Sequence, residues 1–407
     1  VTTVAQAVAD AHRHEWARVL AATVRVTRDL DLAEECVQDA YAAALDAWVR
    51  GGVPASPGAW LTTAARHNAL DALRRAGRLR SRLHLLVEPV ADLPAGPVVH
   101  DDRLRLVFLC CHPVLAPEAQ VALALRIVCG VPTPDIAKAF LVSEPTMAAR
   151  ITRAKKKITA ARIPFRMPGP SELPDRLDAA LTVIHLLFTT GHTAPAGPAL
   201  TRIDLAERAL DLARMLRDLM PDELEVQGLL ALLLANHARR ATRSATDGHL
   251  LLLAEQDRSA WDCDAIAEAH DLVLGALRGG DPGRFALQAA IAALHATAPT
   301  YGDTDWEQIL VLYDELWGAW PSPVVALNRA VAIAMVSGPA TALAEVEALE
   351  QDHRLAGYRY LPAIKADLLR RLGRKADAAV AYERAIPLAD NDAERAFLAR
   401  RLAETLN

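Results

Sequence analysis

Thr146, Arg150, Arg153 and Lys157 recur at i, i+4, i+7 and i+11, which on a helix makes one polar, largely cationic stripe. Guanidinium groups on such a stripe can read a guanine edge bidentately, while ammonium groups neutralise phosphates. Met147, Ile151, Ala154 and Ile158 repeat the same spacing one residue later with apolar side chains, so the same helix also has a face to bury. Lys155, Lys156, Lys157 and Arg162 are expected to extend its positive end. Taken alone, this is equally the pattern of a surface helix with solvated charges. Cys110-Cys111-His112 offers metal-binding residue types, but adjacent ligands fall on different faces of a helix and do not converge on one tetrahedral ion. His185 and His192 are seven apart, and Gly191 is expected to end their helix, which leaves core or surface histidines. No glycine-rich phosphate loop, Gly-x-Ser-x-Gly elbow or His-Glu-x-x-His occurs, so no catalytic residue, metal or cofactor is assigned and the chain is not read as an enzyme.

The cationic stripe needs elements to position it. Residues 135–141 make a short helix, and Val142-Ser143-Glu144-Pro145 a turn in which Ser143 or Glu144 leads into the longer one. Pro145 suits a first helical position, where its missing N–H would be unpaired anyway. Short helix, tight turn and a half-buried, half-basic helix is the helix-turn-helix plan. Further upstream, a helical block spans residues 4–50, breaks at Gly51-Gly52-Val53-Pro54 and resumes over 57–75. Leu32, Cys36, Ala40, Ala44 and Trp48 form one apolar row with Ala33, Val37, Tyr41 and Leu45 beside it, opposite the acidic Glu35, Asp39 and Asp46. The following helix is expected to bury Trp60, Leu61 and Ala64 and to expose Arg66, His67, Arg74 and Arg75, with Asp71 placed to pair with Arg74 or Arg75.

Met167-Pro168-Gly169-Pro170 reads as a hinge, and beyond it Ala/Leu-rich helical stretches alternate with Gly/Pro turns. Gly373, Ala378, Tyr382 and Ala385 fall where a tetratricopeptide helix pair places its turn glycine, small residues and aromatic. Gly338, 35 residues earlier, follows one helix and precedes another, close to the period of about 34 for such repeats. Asp257, Arg258, Trp261 and Asp262 form a polar-aromatic cluster that suits either a functional surface or an interhelical network.

With 407 residues the chain is long enough for two to three domains, and 52% hydrophobic but 5% aromatic residues favour helices packed through Ala, Leu and Val. The net charge of −5 conceals a division: residues 1–166 carry +6 and the remainder −11. A basic front can approach phosphates that would repel the acidic back. No apolar run is long enough for a membrane span, no signal peptide opens the chain, and the five cysteines are odd in number and scattered. A cytoplasmic location without membrane contact is expected.

Two stretches, Ala33-Glu-Glu-Cys-Val-Gln-Asp-Ala-Tyr41 and Pro57-Gly-Ala-Trp-Leu-Thr-Thr-Ala-Ala-Arg-His-Asn-Ala-Leu-Asp-Ala-Leu-Arg-Arg75, resemble region 2 of bacterial sigma factors. Residues 131–157 resemble region 4, and the two together are similar to extracytoplasmic-function sigma factors of the sigma-70 family. The back half resembles the subgroup with a tetratricopeptide-like extension, through stretches such as Ala254-Glu-Gln-Asp-Arg-Ser-Ala-Trp-Asp262 and Tyr360-Leu-Pro-Ala-Ile-Lys-Ala-Asp-Leu-Leu-Arg-Arg-Leu-Gly373. The resemblance implies an all-α chain: a region 2 bundle (1–76), a linker (77–100), a region 4 helix-turn-helix domain (101–166) and a helical-repeat extension (167–407).

By the same resemblance, core RNA polymerase and promoter DNA are the partners. Glu35, Gln38 and Asp39 would contact the polymerase. Arg50, Trp60, Arg66, Asn68, Arg74 and Arg75 would serve the −10 element, the loop 50–58 receiving a flipped base. Glu144, Thr146, Arg150 and Arg153 would face the −35 major groove, and Lys156 and Lys157 its phosphates. The recognition helix opens Thr146-Met-Ala-Ala-Arg150 where many relatives have a Thr-Val-Lys-Ser-Arg-like start, so Arg150 and Arg153 must carry more of the contact. The extension is expected to regulate in cis, its acidic surface meeting the basic front. The alternative is a helix-turn-helix repressor or adaptor acting without polymerase.

Overall fold

No glycine or proline separates Val4 from Arg50, yet the chain reverses between them. Arg28 takes a left-handed conformation (φ 53°) and donates its N–H to Val24 O, closing helix α1 (Val4–Thr27). Asp29 then caps α2 (Leu30–Gly51), its carboxylate accepting from the backbone N–H of Asp31 and Leu32, both at 2.9 Å. The expected break follows at Gly52, and α3 (Pro57–Arg82) runs past Arg75 into the stretch expected as linker. The computed structural model describes residues 3–82, 102–140, 142–193, 201–245 and 248–406, so the rest of that linker lies outside the described residues.

The first three helices form a bundle around Trp16, Val19, Leu20, Val37, Ala40, Leu61, Ala65 and Ala69, all buried. Ala64, expected to be buried, is half-exposed, because α3 turns the row beginning one residue later inward. Trp60 is half-buried, its ring edge-on to Trp48 with centroids 5.7 Å apart. A second group, α4 (Asp102–Cys110), α5 (Pro117–Ile127), α6 (Thr133–Ala139) and α7 (Glu144–Ala160), packs on this bundle through contacts between α1 and α4. The indole Nε1 of Trp16 donates to Ile127 O at 3.1 Å in a buried hydrogen bond that ties α1 to the end of α5.

The chain divides into two compact units, Val1–Leu186 and Leu187–Asn407. Met167-Pro168-Gly169-Pro170 lies within the first, where the Glu172 carboxylate accepts from Gly169 N and from the Arg166 guanidinium. Helix α8 (Leu173–His192) passes the division and ends one residue after Gly191, as expected. A side chain at Gly191 would come within 2.5 Å of Ala206 N, so glycine is what lets α9 (Ile203–Leu219) approach so closely.

The second unit continues through α10 (Leu224–His237), α11 (Cys263–Arg278), α12 (Arg284–Thr297), α13 (Trp306–Ala319), α14 (Pro323–Val336), α15 (Pro339–Leu349), α16 (Tyr360–Arg371), α17 (Lys375–Ala385) and α18 (Asp392–Leu406). Gly338 and Gly373 turn α14 into α15 and α16 into α17 at φ 89° and 74°, a conformation that favours glycine. Ala378, Tyr382 and Ala385 are buried in the core these pairs share, as the repeat spacing predicts. Among the described residues the elements are helices, Ser244 and Leu250 form an isolated antiparallel bridge, and the all-α expectation holds.

Cys36, Cys110, Cys111 and Cys129 are buried and Cys263 is exposed. Burial pushes the Cys111 thiol up to about 12, and among the described residues no cluster of metal-ligating side chains forms. Of the Asp257–Asp262 cluster, Asp257 is exposed and holds Ser259, Asp262 caps α11, and Arg258 and Trp261 enter an internal network. Arg258 donates to the carbonyls of His295 and Ala298 (2.8 and 2.7 Å) and stacks over Trp261, whose indole N–H donates to Thr242 Oγ1 at 2.8 Å.

Candidate nucleic-acid and polymerase interface

Helix α7 is set by its own sequence. Ser143 is the N-cap, its hydroxyl accepting from Thr146 N, and Pro145 occupies the first turn. Met147, Ile151, Ala154 and Ile158 are buried, so the helix is clamped along the expected face. Glu144, Thr146, Arg153, Lys156 and Lys157 are exposed, and Arg150 is half-exposed with its guanidinium 5.8 Å from the Phe140 ring centroid. The structure therefore brings these six side chains to the outer surface of one helix, where the one carboxylate of the set is Glu144 at the amino end.

Lys155 departs from the expectation. It is buried, not part of the outward positive end, and its ammonium donates to Glu34 Oε2 at 2.6 Å and Asp31 Oδ1 at 2.9 Å on α2. The other Glu34 oxygen accepts from Arg126 Nη2 of α5 at 2.7 Å. Burial opposes the ammonium charge, but the hydrogen bonds to Glu34 and Asp31 outweigh it and hold the Lys155 pKa above its ordinary value. One carboxylate with two cations thus fastens the helix-turn-helix group to the first bundle. Sequence reasoning missed Glu34, Arg126 and Lys155 in this role. The one local signal was that Lys155 continues the buried row Met147, Ile151 at i+8.

On α3, Arg66, Arg74 and Arg75 are exposed with His67, and Asp71 pairs with Arg74 at 3.1 Å, both side chains well exposed. Arg50 is exposed at the end of α2. Asn68 is turned partly inward: its Nδ2 donates to Cys36 O at 3.1 Å and pins α3 to α2. Trp60 lies against Trp48, as described. The six residues expected at the −10 element therefore divide into four exposed arginines and two side chains engaged in helix packing.

On α2, Glu35, Gln38 and Asp39 are exposed along one edge. Leu45, expected beside the buried row, is 45% exposed, and with Val49 at 71% it gives the carboxyl half of α2 an uncovered apolar strip. Wide apolar faces that stay uncovered mark binding surfaces more often than isolated exposed residues do.

The sigma-70 region 2 family model matches residues 11–79 and the sigma-70 region 4 model residues 105–158. A family of unknown function, DUF6596, matches residues 176–277. The uncharacterised protein R00370 of Rhizobium meliloti is 44% identical over 393 residues, covering 95% of this chain and 92% of that one. The ECF RNA polymerase sigma factor SigJ of Mycobacterium tuberculosis is 30% identical over 189 residues, 42% of this chain and 58% of SigJ. The probable ECF sigma factor SigI of the same organism is 30% identical over 146 residues, 34% of this chain and 50% of SigI. No solved structure matches. Two region models in the order and spacing of the two N-terminal helical groups, with sigma-factor relatives over the same part, place the chain in the extracytoplasmic-function group of sigma-70 family sigma factors, in a form that carries a C-terminal helical extension.

Proposed function

We propose that the chain guides core RNA polymerase to promoters through two DNA surfaces, α3 with Arg50 for the −10 element and the outward face of α7 for the −35 element. The observation that carries this is α7 itself, clamped along Met147–Ile158 while Arg150, Arg153, Lys156 and Lys157 point outward. Arg150 and Arg153 read base edges; the lysines neutralise phosphates and contribute salt-dependent affinity. Glu35, Gln38 and Asp39, with Leu45 and Val49, form the polymerase-facing side of α2. No step asks this chain to make or break a bond.

The Glu34 junction sets a condition on this reading. Elements about 25 base pairs apart are separated by ~80 Å of duplex at about 3.4 Å per pair. Helix α7 touches α2 directly, and α2 packs on α3, so the two DNA surfaces lie a few helix diameters of about 10 Å apart. Promoter engagement at both elements therefore requires the junction to open, and the polymerase, by gripping α2, supplies a competing partner for it. The extension adds a second control: an acidic C-terminal portion fused to a basic N-terminal one can shield the DNA surfaces electrostatically.

Run-off transcription with bacterial core polymerase, on the promoter of the chain's own operon, tests both. Specific transcripts are expected from the full chain or from a chain ending after Leu186, and their ratio reports the extension's sign. Equal activity would remove the regulatory role. Promoter binding without polymerase and no transcript from either would replace the sigma reading with that of a repressor.

A further inference from the structure

Within the second unit, α12, α13, α14, α16, α17 and α18, with residues 252–254, line an open cavity of about 650 Å³. That lies inside the range of about 300–1,000 Å³ typical of small-molecule sites. Its walls carry aromatic faces from Tyr301, Trp306, Tyr313 and Phe397, with Met335 and Ile364 filling between them. Such walls favour a flat or ring-bearing apolar body.

The polar groups are few and unequal. Asp367 is already met by Arg370 at 2.7 Å and Arg401 at 3.5 Å, and Arg401 also binds Glu404 at 2.8 Å. Arg371 differs: it is exposed at the cavity's edge, and its guanidinium donates to Ala334 O at 3.1 Å and to the Met335 thioether at 3.8 Å, both neutral. Among the described residues, no carboxylate answers its charge. His295, also in the wall, keeps a buried Nδ1 without a hydrogen-bond partner. Burial and the nearby Arg239 and Arg258 bring its pKa down to about 4, so the imidazole is neutral and can accept or donate without adding charge.

We propose that this cavity binds a small organic anion with an apolar, ring-bearing body, its acidic group on Arg371 and its rings between Trp306, Tyr313 and Phe397. The site makes the extension a receptor domain. It stands whether or not the promoter reading does, because no residue of the first unit enters it.

The test titrates the full chain with 1-anilinonaphthalene-8-sulfonate and, in parallel, with its uncharged parent N-phenyl-1-naphthylamine. Saturable binding of one sulfonate per chain is expected, with the neutral compound at least about tenfold weaker, a difference of about 1.4 kcal/mol. Arg371→Gln, at an exposed position, weakens the sulfonate by a similar factor and leaves the neutral compound unchanged. Met335→Trp, which fills the cavity, removes both. Arg374→Gln, an exposed arginine paired with Asp377, changes neither. Saturating sulfonate also raises the melting midpoint of the wild-type chain by more than that of Arg371→Gln, which reads the site without relying on the filled variant folding. Absence of saturable binding, equal binding of the two compounds, or equal sulfonate binding by wild type and Arg371→Gln would each overturn the proposal.

Discussion

Glu34 accepts from Arg126 and Lys155 with its side chain only 9% exposed, so its charge has been taken from water and answered by the two cations that need it in return. Removing one partner of such a set strands the others. Glu34→Gln is expected to destabilise the first unit by about 3 kcal/mol, whereas replacing the whole set, Glu34→Leu with Arg126→Met and Lys155→Met, recovers most of that loss. Urea unfolding of the three chains measures the difference. Outward cations obey the opposite rule. Lys157→Ala leaves stability within about 0.5 kcal/mol, since its side chain is exposed and answers no buried group. It should weaken promoter binding by the polymerase complex and flatten the dependence of log K on log salt by about 0.9, the amount that one neutralised phosphate contributes. Fluorescence anisotropy across a salt series checks both quantities. At this scale the sequence reveals what is local. Ser143, Pro145 and the Met147–Ile158 stripe act on neighbours within a turn or two, and they stand where periodicity puts them. Lys155 escapes such reasoning because its partners are 121 and 124 residues away and no helical period reports them.

The elements show the same limit from another side. The turn at Arg28 and Asp29 contains neither glycine nor proline, and only the capping pattern of Asp29 marks it, so two helices are legible as one block. On α2 the apolar rows cover a wider arc than α1 and α3 can shield, and Leu45 falls on the uncovered side. That departure is informative, because an apolar residue left bare beside Glu35, Gln38 and Asp39 extends the surface available to a partner. Val49→Asp, at 71% exposure, should leave the melting temperature of the chain unchanged within about 2 °C. It should weaken association with core polymerase by at least about tenfold if α2 docks there. Surface plasmon resonance on immobilised core polymerase measures the second effect, and unchanged affinity would move the docking surface off this strip. The repeat in the second unit is readable for a different reason: Gly338 and Gly373 are required by positive φ, and a requirement of the backbone survives where side chains vary.

Taken whole, the molecule keeps three histidines with strongly lowered pKa values in the second unit. His237 and His295 have pKa values brought down to about 4, and His192 to about 2, each chiefly by burial. The folded unit therefore binds fewer protons than the unfolded chain below the ordinary histidine value of about 6.5. The stability they contribute is complete above that pH and is lost as pH falls toward 4. Calorimetry across the interval from neutral pH down to that value should show the melting of this unit falling by several degrees, and His295→Gln should shrink the fall. A pH-independent midpoint would mean that these imidazoles reach water on the folded chain. The distribution of thiols has a practical counterpart. Four of the five cysteines are buried and Cys263, at the start of α11, is exposed. A maleimide dye applied to the native chain should therefore settle on one position, giving a fluorescent reporter on the extension with the DNA-facing helices left chemically untouched.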